Sequence, residues 1–162
     1  MGDPPHVDVS VRLALRIGAD LIAEPWSAET LQIAAQQAQH LNSLDGALDI
    51  TMPEQQACRL DFWDQIDGLL LAWLMTIAGL DVNGEALIEF PDTKIEAEVW
   101  RQDDDLRVVF EDIDATLPWI ATVDSLKDAA QRLLLAANKA NITNEALESL
   151  SGWLNLNAGD AT

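Results

Sequence analysis

The most regular stretch of the chain alternates apolar with polar residues. Between residues 6 and 17 every second position is apolar, and charged or hydroxyl residues occupy most positions between them (the apolar set is Val7, Val9, Val11, Leu13, Leu15 and Ile17). Side chains of a strand point alternately to opposite faces, so this pattern predicts a half-buried β-strand.

Three later segments, residues 85–90, 94–102 and 105–112, also have strand character. Turn residues separate them: Pro91 and Asp92 at the first connection, and an acidic run at the second. With a two-residue loop at each connection, apolar residues meet across both hairpins (Phe90 with Ile95, Ile88 with Ala97, Val99 with Val108, Ala97 with Phe110). A slip of one residue would break all these pairs, so the pattern predicts an antiparallel β-meander with one buried face.

Helical spacing of apolar residues predicts four helices. The first follows Ser27 as its cap and runs to about residue 41. The second begins in the segment of residues 61–64, has an apolar second half and stops at Gly79. The third runs from a cap at Asp124 and Ser125 to about residue 138, and the fourth follows Thr143.

Shorter strands are predicted at residues 117–123 and 47–52. Thr51 and Glu54, on either side of Pro53, offer an alternative at the latter: the start of a helical turn. Together the elements predict one α+β domain over residues 1–162, in which an antiparallel meander packs against three or four helices. The ends, residues 1–5 and 156–162, are expected to be frayed.

The charge of the chain narrows the classes of partner. Twenty-eight acidic residues face nine basic ones, which gives a formal net charge of −19. Such a field repels nucleic acids and anionic membranes and attracts basic proteins. High solubility, or a salt-rich cytoplasm, would explain the same composition, and charge alone does not separate these alternatives.

Cysteine content and hydropathy favour the cytoplasm. Cys58 is the only cysteine, so no disulfide forms within the chain and a reducing compartment fits. The first residues lack the basic and apolar regions of a signal peptide. The longest apolar run, residues 69–80, is shorter than the roughly 20 residues that span a bilayer.

The residue patterns predict no catalytic residue, metal or cofactor. His6 and His40 lie outside any catalytic or zinc-binding motif, and Cys58 is expected to be buried. Residues 81–92 only partly fit a calcium loop, because Ala86 stands where the loop needs glycine, and a helix-to-strand turn is predicted instead. Asp61, Asp64 and Asp67 share one face of a predicted first helical turn, where the helix dipole favours acids.

The face of the meander opposite the buried one carries the candidate binding site. In the predicted register Trp100 lies across from Arg107 and among glutamates, and an aromatic anchor within an anionic field suits an Arg- or Lys-rich partner. The candidate residues are Glu96, Glu98, Trp100, Arg107 and Glu111, with Asp103, Asp104 and Asp105 at the adjacent turn. In the alternative, the first strand's sheet or the helix after Ser27 covers Trp100.

The central block of the sequence resembles small bacterial proteins of the immunity type, the inhibitors of bacterial toxins. The resemblance rests on residues 61–69 (DFWDQIDGL), on Phe90-Pro91-Asp92, and on the hairpin and amphipathic helix that follow, and covers about residues 61–138. It implies an inhibitor that occupies the basic site of a partner toxin. An assembly component or homodimer without catalytic activity is the alternative, and a small enzyme using carboxylates is the third.

Overall fold

The structure, a computed structural model, describes residues 9–38 and 43–157. Within these ranges the chain forms, in order, β1 (Ser10–Ile17), β2 (Asp20–Ala23), α1 (Ala28–Gln37), β3 (Asp45–Met52), β4 (Gln55–Cys58), β5 (Asp64–Gln65), α2 (Ile66–Ala78), β6 (Glu85–Glu89), β7 (Glu96–Gln102), β8 (Asp105–Phe110), β9 (Ile113–Pro118), α3 (Trp119–Lys139) and α4 (Glu145–Asn157). This is the predicted α+β class, with two antiparallel sheets where one meander was expected.

The first sheet, sheet A, has the order β2-β1-β3-β4, and β5 adds to β3. Strand β3 lies at its centre and is buried from Asp45 to Ile50, since both of its faces are covered. Gly46 is required here, because a side chain at this position would meet the carbonyl oxygen of Ala14 at 2.1 Å. The predicted strand of residues 6–17 is confirmed from Ser10 onward, and residues 6–8 lie outside the described residues.

The second sheet, sheet B, is the predicted meander with a fourth strand, in the order β6-β7-β8-β9. The predicted pairs are confirmed: Ile88 pairs with Ala97, Val99 with Val108, and Trp100 with Arg107. The predicted two-residue loop at the first connection is wrong, because four residues, 91–94, separate Phe90 from its partner Ile95. The two-residue loop of residues 103–104 closes the second hairpin, with Asp103 at a φ of 53°. Sheet B therefore has one apolar face in the core and one polar face outside, as the alternation predicts.

Helices α2 and α3 each pack against both sheets. Helix α2 packs against β3 and β6, and α3 packs against β1 and β9. Trp73 of α2 is fully buried and its ring meets those of Phe90 and Phe110 edge-on, at centroid distances of 6.4 and 6.1 Å. One apolar core thus holds both sheets and fixes the orientation of sheet B.

Several helix boundaries confirm their predictions. Ser27 caps α1 through its hydroxyl, which accepts a hydrogen bond from the N–H of Thr30 at 3.1 Å. Gly79 ends α2, and the predicted helix-to-strand turn follows, where the N–H of Gly84 donates to Asp81 O at 2.8 Å. The predicted end of α1 near residue 41 is wrong: the helix ends at Gln37, because Ala38 has an extended backbone with a ψ of 147°, and residues 39–42 lie outside the described residues.

The predicted start of α2 is wrong. The helix begins at Ile66, and residues 61–63 form turns before the short strand β5. Asp64 is buried outside the helix, where its carboxylate accepts hydrogen bonds from the N–H groups of Asp92 and Thr93 and from the Thr93 hydroxyl, at 2.9–3.1 Å. Asp64 therefore holds the β6–β7 connection in place through these hydrogen bonds. Asp61, Asp64 and Asp67 do not share a helical face, since only Asp67 lies within α2.

The predicted strand at residues 117–123 is also wrong. The strand is β9, which starts at Ile113, and α3 begins directly after Pro118. Residues 124 and 125 consequently lie within α3, where the Ser125 hydroxyl donates to Val9 O at 2.8 Å and does not cap the helix. A helical turn at residues 51–54 is wrong as well, because these residues connect β3 to β4 with Glu54 at a φ of 69°.

Candidate protein-binding face

The outer face of sheet B presents three rows of side chains. Strand pairing sets Glu85, Trp100, Arg107 and Thr116 in one row, and Leu87, Glu98, Val109 and Asp114 in the next. A third row, on β6 and β7 only, holds Glu89 and Glu96. We call the part of this surface on β6 and β7 the acidic face; it comprises Glu85, Leu87, Glu89, Glu96, Glu98 and Trp100.

Trp100 is half-buried on this surface and belongs to it, not to the core. Its indole N–H donates to Glu85 Oε2 at 3.1 Å, and the Arg107 guanidinium lies 5.6 Å from the ring centroid, which confirms the predicted cation–π pair. Both contacts come from neighbouring strands, and shallow grooves of about 380 and 390 Å³ border the indole. This geometry speaks against the alternative in which another element covers Trp100.

Arg107 is engaged with a carboxylate that the sequence analysis did not select. Its Nε and Nη2 donate to the two oxygens of Asp114 on β9, at 3.0 and 2.9 Å. This bidentate pair raises the pKa of Arg107 and lowers the pKa of Asp114, mainly through the hydrogen bonds. Arg107 therefore neutralises Asp114, and its charge is not free to offset the glutamates of β6 and β7.

The other acidic candidates divide between the face and the turns. Glu96 and Glu98 are exposed on the outer face of β7, as predicted. Asp103 and Asp104 form the β7–β8 turn, and Asp105 opens β8 opposite Gln102. Glu111 is a correction: it was expected on the strand, but it lies in the two-residue turn between Phe110 and Ile113 with a φ of 51°.

Two glutamates of the acidic face, Glu85 and Glu89, are not among the residues selected from the sequence. Glu85 holds the Trp100 indole, and Glu89 lies directly opposite Glu96, so two like charges face each other across the strands. Like charges in directly opposed positions destabilise a sheet. The strand parity that selected Glu96 and Glu98 also places Glu85 and Glu89 on this face.

Arginine side chains elsewhere are occupied by internal contacts. Arg12 binds the buried Asp49, Arg59 binds Asp61 and Asp112, and Arg132 binds Glu24 and Asp128. Arg16 and Arg101 stack on Trp63 and Trp119 at 3.6 and 3.7 Å. No ion pair in the described part of the chain involves Glu85, Glu89, Glu96 or Glu98. The negative charges of the acidic face are therefore not offset by a bound arginine or lysine of the described residues.

The cysteine and the two histidines are the remaining candidates for catalysis or metal binding. Cys58 is fully buried, and desolvation raises the pKa of its thiol far above the usual range. His6 and His40 lie outside the described residues. Over residues 9–38 and 43–157, no group of three or more potential metal ligands is assembled, and no helix has the length and apolar character to cross a bilayer.

Comparison with protein-family models, with curated proteins and with solved structures gives no match for this chain.

Proposed function

We propose that this protein binds a basic protein partner and that the acidic face is its binding surface. The observation that carries the proposal is the composition of that face: four glutamates that make no ion pair within the described residues surround Leu87, which is 50% exposed, and the half-buried Trp100. Uncompensated charge attracts a partner from a distance, and an aromatic or aliphatic anchor supplies contact energy once the partner arrives.

The energetic cost of the face in the free protein supports this role. Glu89 and Glu96 repel each other across the strand pair, and Glu98 lies in the adjacent position of the same strand face. A lysine or arginine from a partner would relieve this repulsion and form charge-assisted hydrogen bonds. Binding thus stabilises an arrangement that the isolated sheet tolerates at some cost.

The finer proposal is an immunity-type inhibitor that acts in the cytoplasm. A nuclease toxin must carry a basic site that binds phosphate groups, and a surface of spaced carboxylates is complementary to such a site. The same charge disfavours binding of nucleic acid by this protein itself. The resemblance of residues 61–138 to immunity proteins supports the proposal, and residues of the acidic face lie within that segment.

The experiment is affinity capture from the native cell extract at low and high salt, with Glu98→Lys/Trp100→Ala as the test variant. Glu148→Lys, on the exposed surface of α4, is the control that changes the net charge equally. We expect one basic protein to be retained by the wild type and the control, lost with the double variant, and inhibited in its own activity when bound. Equal retention by all three proteins, or capture of an acidic protein, would contradict the proposal.

A further inference from the structure

Strand β6 is an edge strand of sheet B, and no other strand of the described residues pairs with its outer side. The N–H of Phe90 donates to Ile95 O at 3.0 Å, and the N–H of Arg101 donates to Gly84 O at 2.9 Å. Bonded pairs alternate along an antiparallel ladder, and the register between these two bonds is regular. Residues 84, 86, 88 and 90 therefore bond to β7, while Glu85, Leu87 and Glu89 direct their N–H and C=O groups away from the sheet.

These outward N–H and C=O groups make no other hydrogen bond within the described residues. None of its loop, cap or side-chain hydrogen bonds involves the backbone of Glu85, Leu87 or Glu89. The opposite edge of the sheet differs: β4 lies alongside β9, and the Thr116 N–H donates to the Gln55 side chain at 2.7 Å. Of the two edges of sheet B, β6 is thus the one with backbone groups open to a further strand.

The side chains of the same three residues all point to the outer face. Their cross-strand partners on β7 are Trp100, Glu98 and Glu96, in that order. An open groove of about 380 Å³ lies between the edge of the sheet and Trp100. In an added antiparallel strand, the residues that bond to Glu85, Leu87 and Glu89 also place their side chains on this face. The charges there call for basic residues opposite Glu85 and Glu89, and for an apolar residue opposite Leu87.

The same charges oppose a second copy of this chain on that edge. A twofold antiparallel pairing of β6 with itself about Leu87 would set Glu85 of one copy against Glu89 of the other, twice over. Like charges directly opposite each other are destabilising, and charged edge strands are a known protection against self-association. Charge complementarity therefore selects a basic strand and disfavours the homodimer.

We infer that the partner binds by strand addition: an extended segment with the pattern basic–any–apolar–any–basic pairs antiparallel with β6. This inference rests on the proposed function and specifies how the acidic face is used. Main-chain hydrogen bonds to the edge supply affinity, and alternate side chains over Glu85, Leu87 and Glu89 supply selectivity.

A synthetic peptide tests the inference without the natural partner. The probe is acetyl-Thr-Arg-Thr-Val-Thr-Arg-Thr-amide, titrated against labelled protein by NMR while the amide signals of Glu85, Leu87 and Glu89 are followed. N-methylation of both arginines and the valine removes the donors that face β6, and N-methylation of the two threonines between them leaves those donors intact. We expect the first modification to weaken binding about tenfold or more and the second to have a much smaller effect.

Equal effects of the two methylation patterns, or absence of shifts along β6, would overturn strand addition. A peptide of the same composition with adjacent arginines, Thr-Thr-Arg-Arg-Val-Thr-Thr, measures the contribution of charge alone. If it binds as well as the alternating peptide, the inferred pattern is wrong.

A variant of the protein separates this inference from the proposed function. Leu87→Pro removes an N–H that does not bond to β7, and edge strands tolerate proline at such positions; Leu87→Ala keeps the N–H and removes the side chain. We expect Leu87→Pro, with its fold verified by circular dichroism, to bind the peptide more weakly than Leu87→Ala does. If Leu87→Pro binds like Leu87→Ala while Glu98→Lys abolishes capture of a basic partner, the acidic face stands and strand addition fails.

Discussion

At the scale of single residues, the structure separates tryptophans that build the core from the one on the candidate site. Trp73 is fully enclosed and contacts two phenylalanine rings, whereas Trp100 contacts only polar partners on its own sheet in the contacts described above. The same residue type therefore has two roles that composition does not distinguish, and substitution distinguishes them.

We predict that Trp100→Ala lowers the free energy of unfolding by less than about 2 kcal/mol, because the side chain lies on the outer face of the sheet, is partly exposed, and makes contacts of the surface type. Trp73→Ala is the control and should cost about 3–5 kcal/mol, the usual range for a buried tryptophan. Chemical denaturation measures both. A loss at Trp100 equal to that at Trp73 would place Trp100 in the core.

The buried Asp67 gives the protein a titration with a definite sign. Desolvation raises its pKa, although the Asn144 amide donates to Oδ2 at 2.7 Å and opposes this effect. Because the folded state holds the proton more tightly than the unfolded chain, the stabilisation from the protonated form is complete below the ordinary aspartate pKa and is lost as pH rises through the raised pKa.

Asp67→Asn isolates this titration, since asparagine does not ionise in this range. We predict that the wild type loses stability relative to Asp67→Asn as the pH rises above the ordinary aspartate pKa, which is about 4. Urea denaturation of both proteins at a series of pH values measures the difference. A difference that stays constant, or that grows in favour of the wild type, would show that burial of Asp67 does not raise its pKa.

At the scale of elements, β6 and β7 form a strand pair whose outer face sets like charges opposite each other, at a cost in stability. Glu89 opposes Glu96 directly, and neither has a cation to offset it in the described chain. On the neighbouring strands β8 and β9, by contrast, Arg107 and Asp114 form an ion pair. Four glutamates that make no ion pair within the described residues therefore lie side by side on the strands that we assign to the partner.

We predict that Glu96→Lys raises the free energy of unfolding by about 0.2–1 kcal/mol, because it converts an opposed pair of like charges into a pair of opposite charges. Glu96→Gln should raise it by a smaller amount. The same lysine variant should bind the captured basic partner more weakly. Thermal unfolding measures the first effect and affinity capture the second; a stabilised variant that binds the partner normally would remove Glu96 from the site.

The boundary between β9 and α3 shows which local pattern of apolar residues predicts a strand. The alternation of Ile113, Ala115 and Leu117 with Asp114 and Thr116 is the signature of β9. The apolar run that follows Pro118 has no clear period, and such a run fits a strand or a helix equally. The prediction placed the strand in this run, whereas the helix begins there and packs its buried side chains against α2 and β1.

At the scale of the whole molecule, the net charge of −19 acts through a field larger than any contact. The described arginines form ion pairs or stack on aromatic rings. The arginines in ion pairs already offset their own acidic partners, so the net negative charge comes from the remaining acidic residues. Such a field speeds the encounter with a cationic partner and is screened by salt over roughly 8–10 Å.

We predict that the association rate constant for the basic partner falls by about tenfold or more between low and high salt, while the dissociation rate constant changes less. Stopped-flow or surface-based kinetics at several salt concentrations measures both. An association rate that is indifferent to salt would remove the electrostatic argument. Unfolding of the free protein at low salt would instead favour the explanation of its acidity as adaptation to a salt-rich cytoplasm.

The sequence by itself determined the meander, its register and the outer position of Trp100, because alternation along a strand is a local property that the pairing of apolar residues then fixes. It also determined the charge, which is a sum over residues. Tertiary structure decided the second sheet, the burial of Asp64, the position of Glu111 in a turn and the pairing of Arg107 with Asp114. It also decided that β4 lies beside β9, whereas β6 has no strand on its outer side in the described part of the chain. These features depend on which distant segments meet in the core, and no local period of apolar residues encodes that choice.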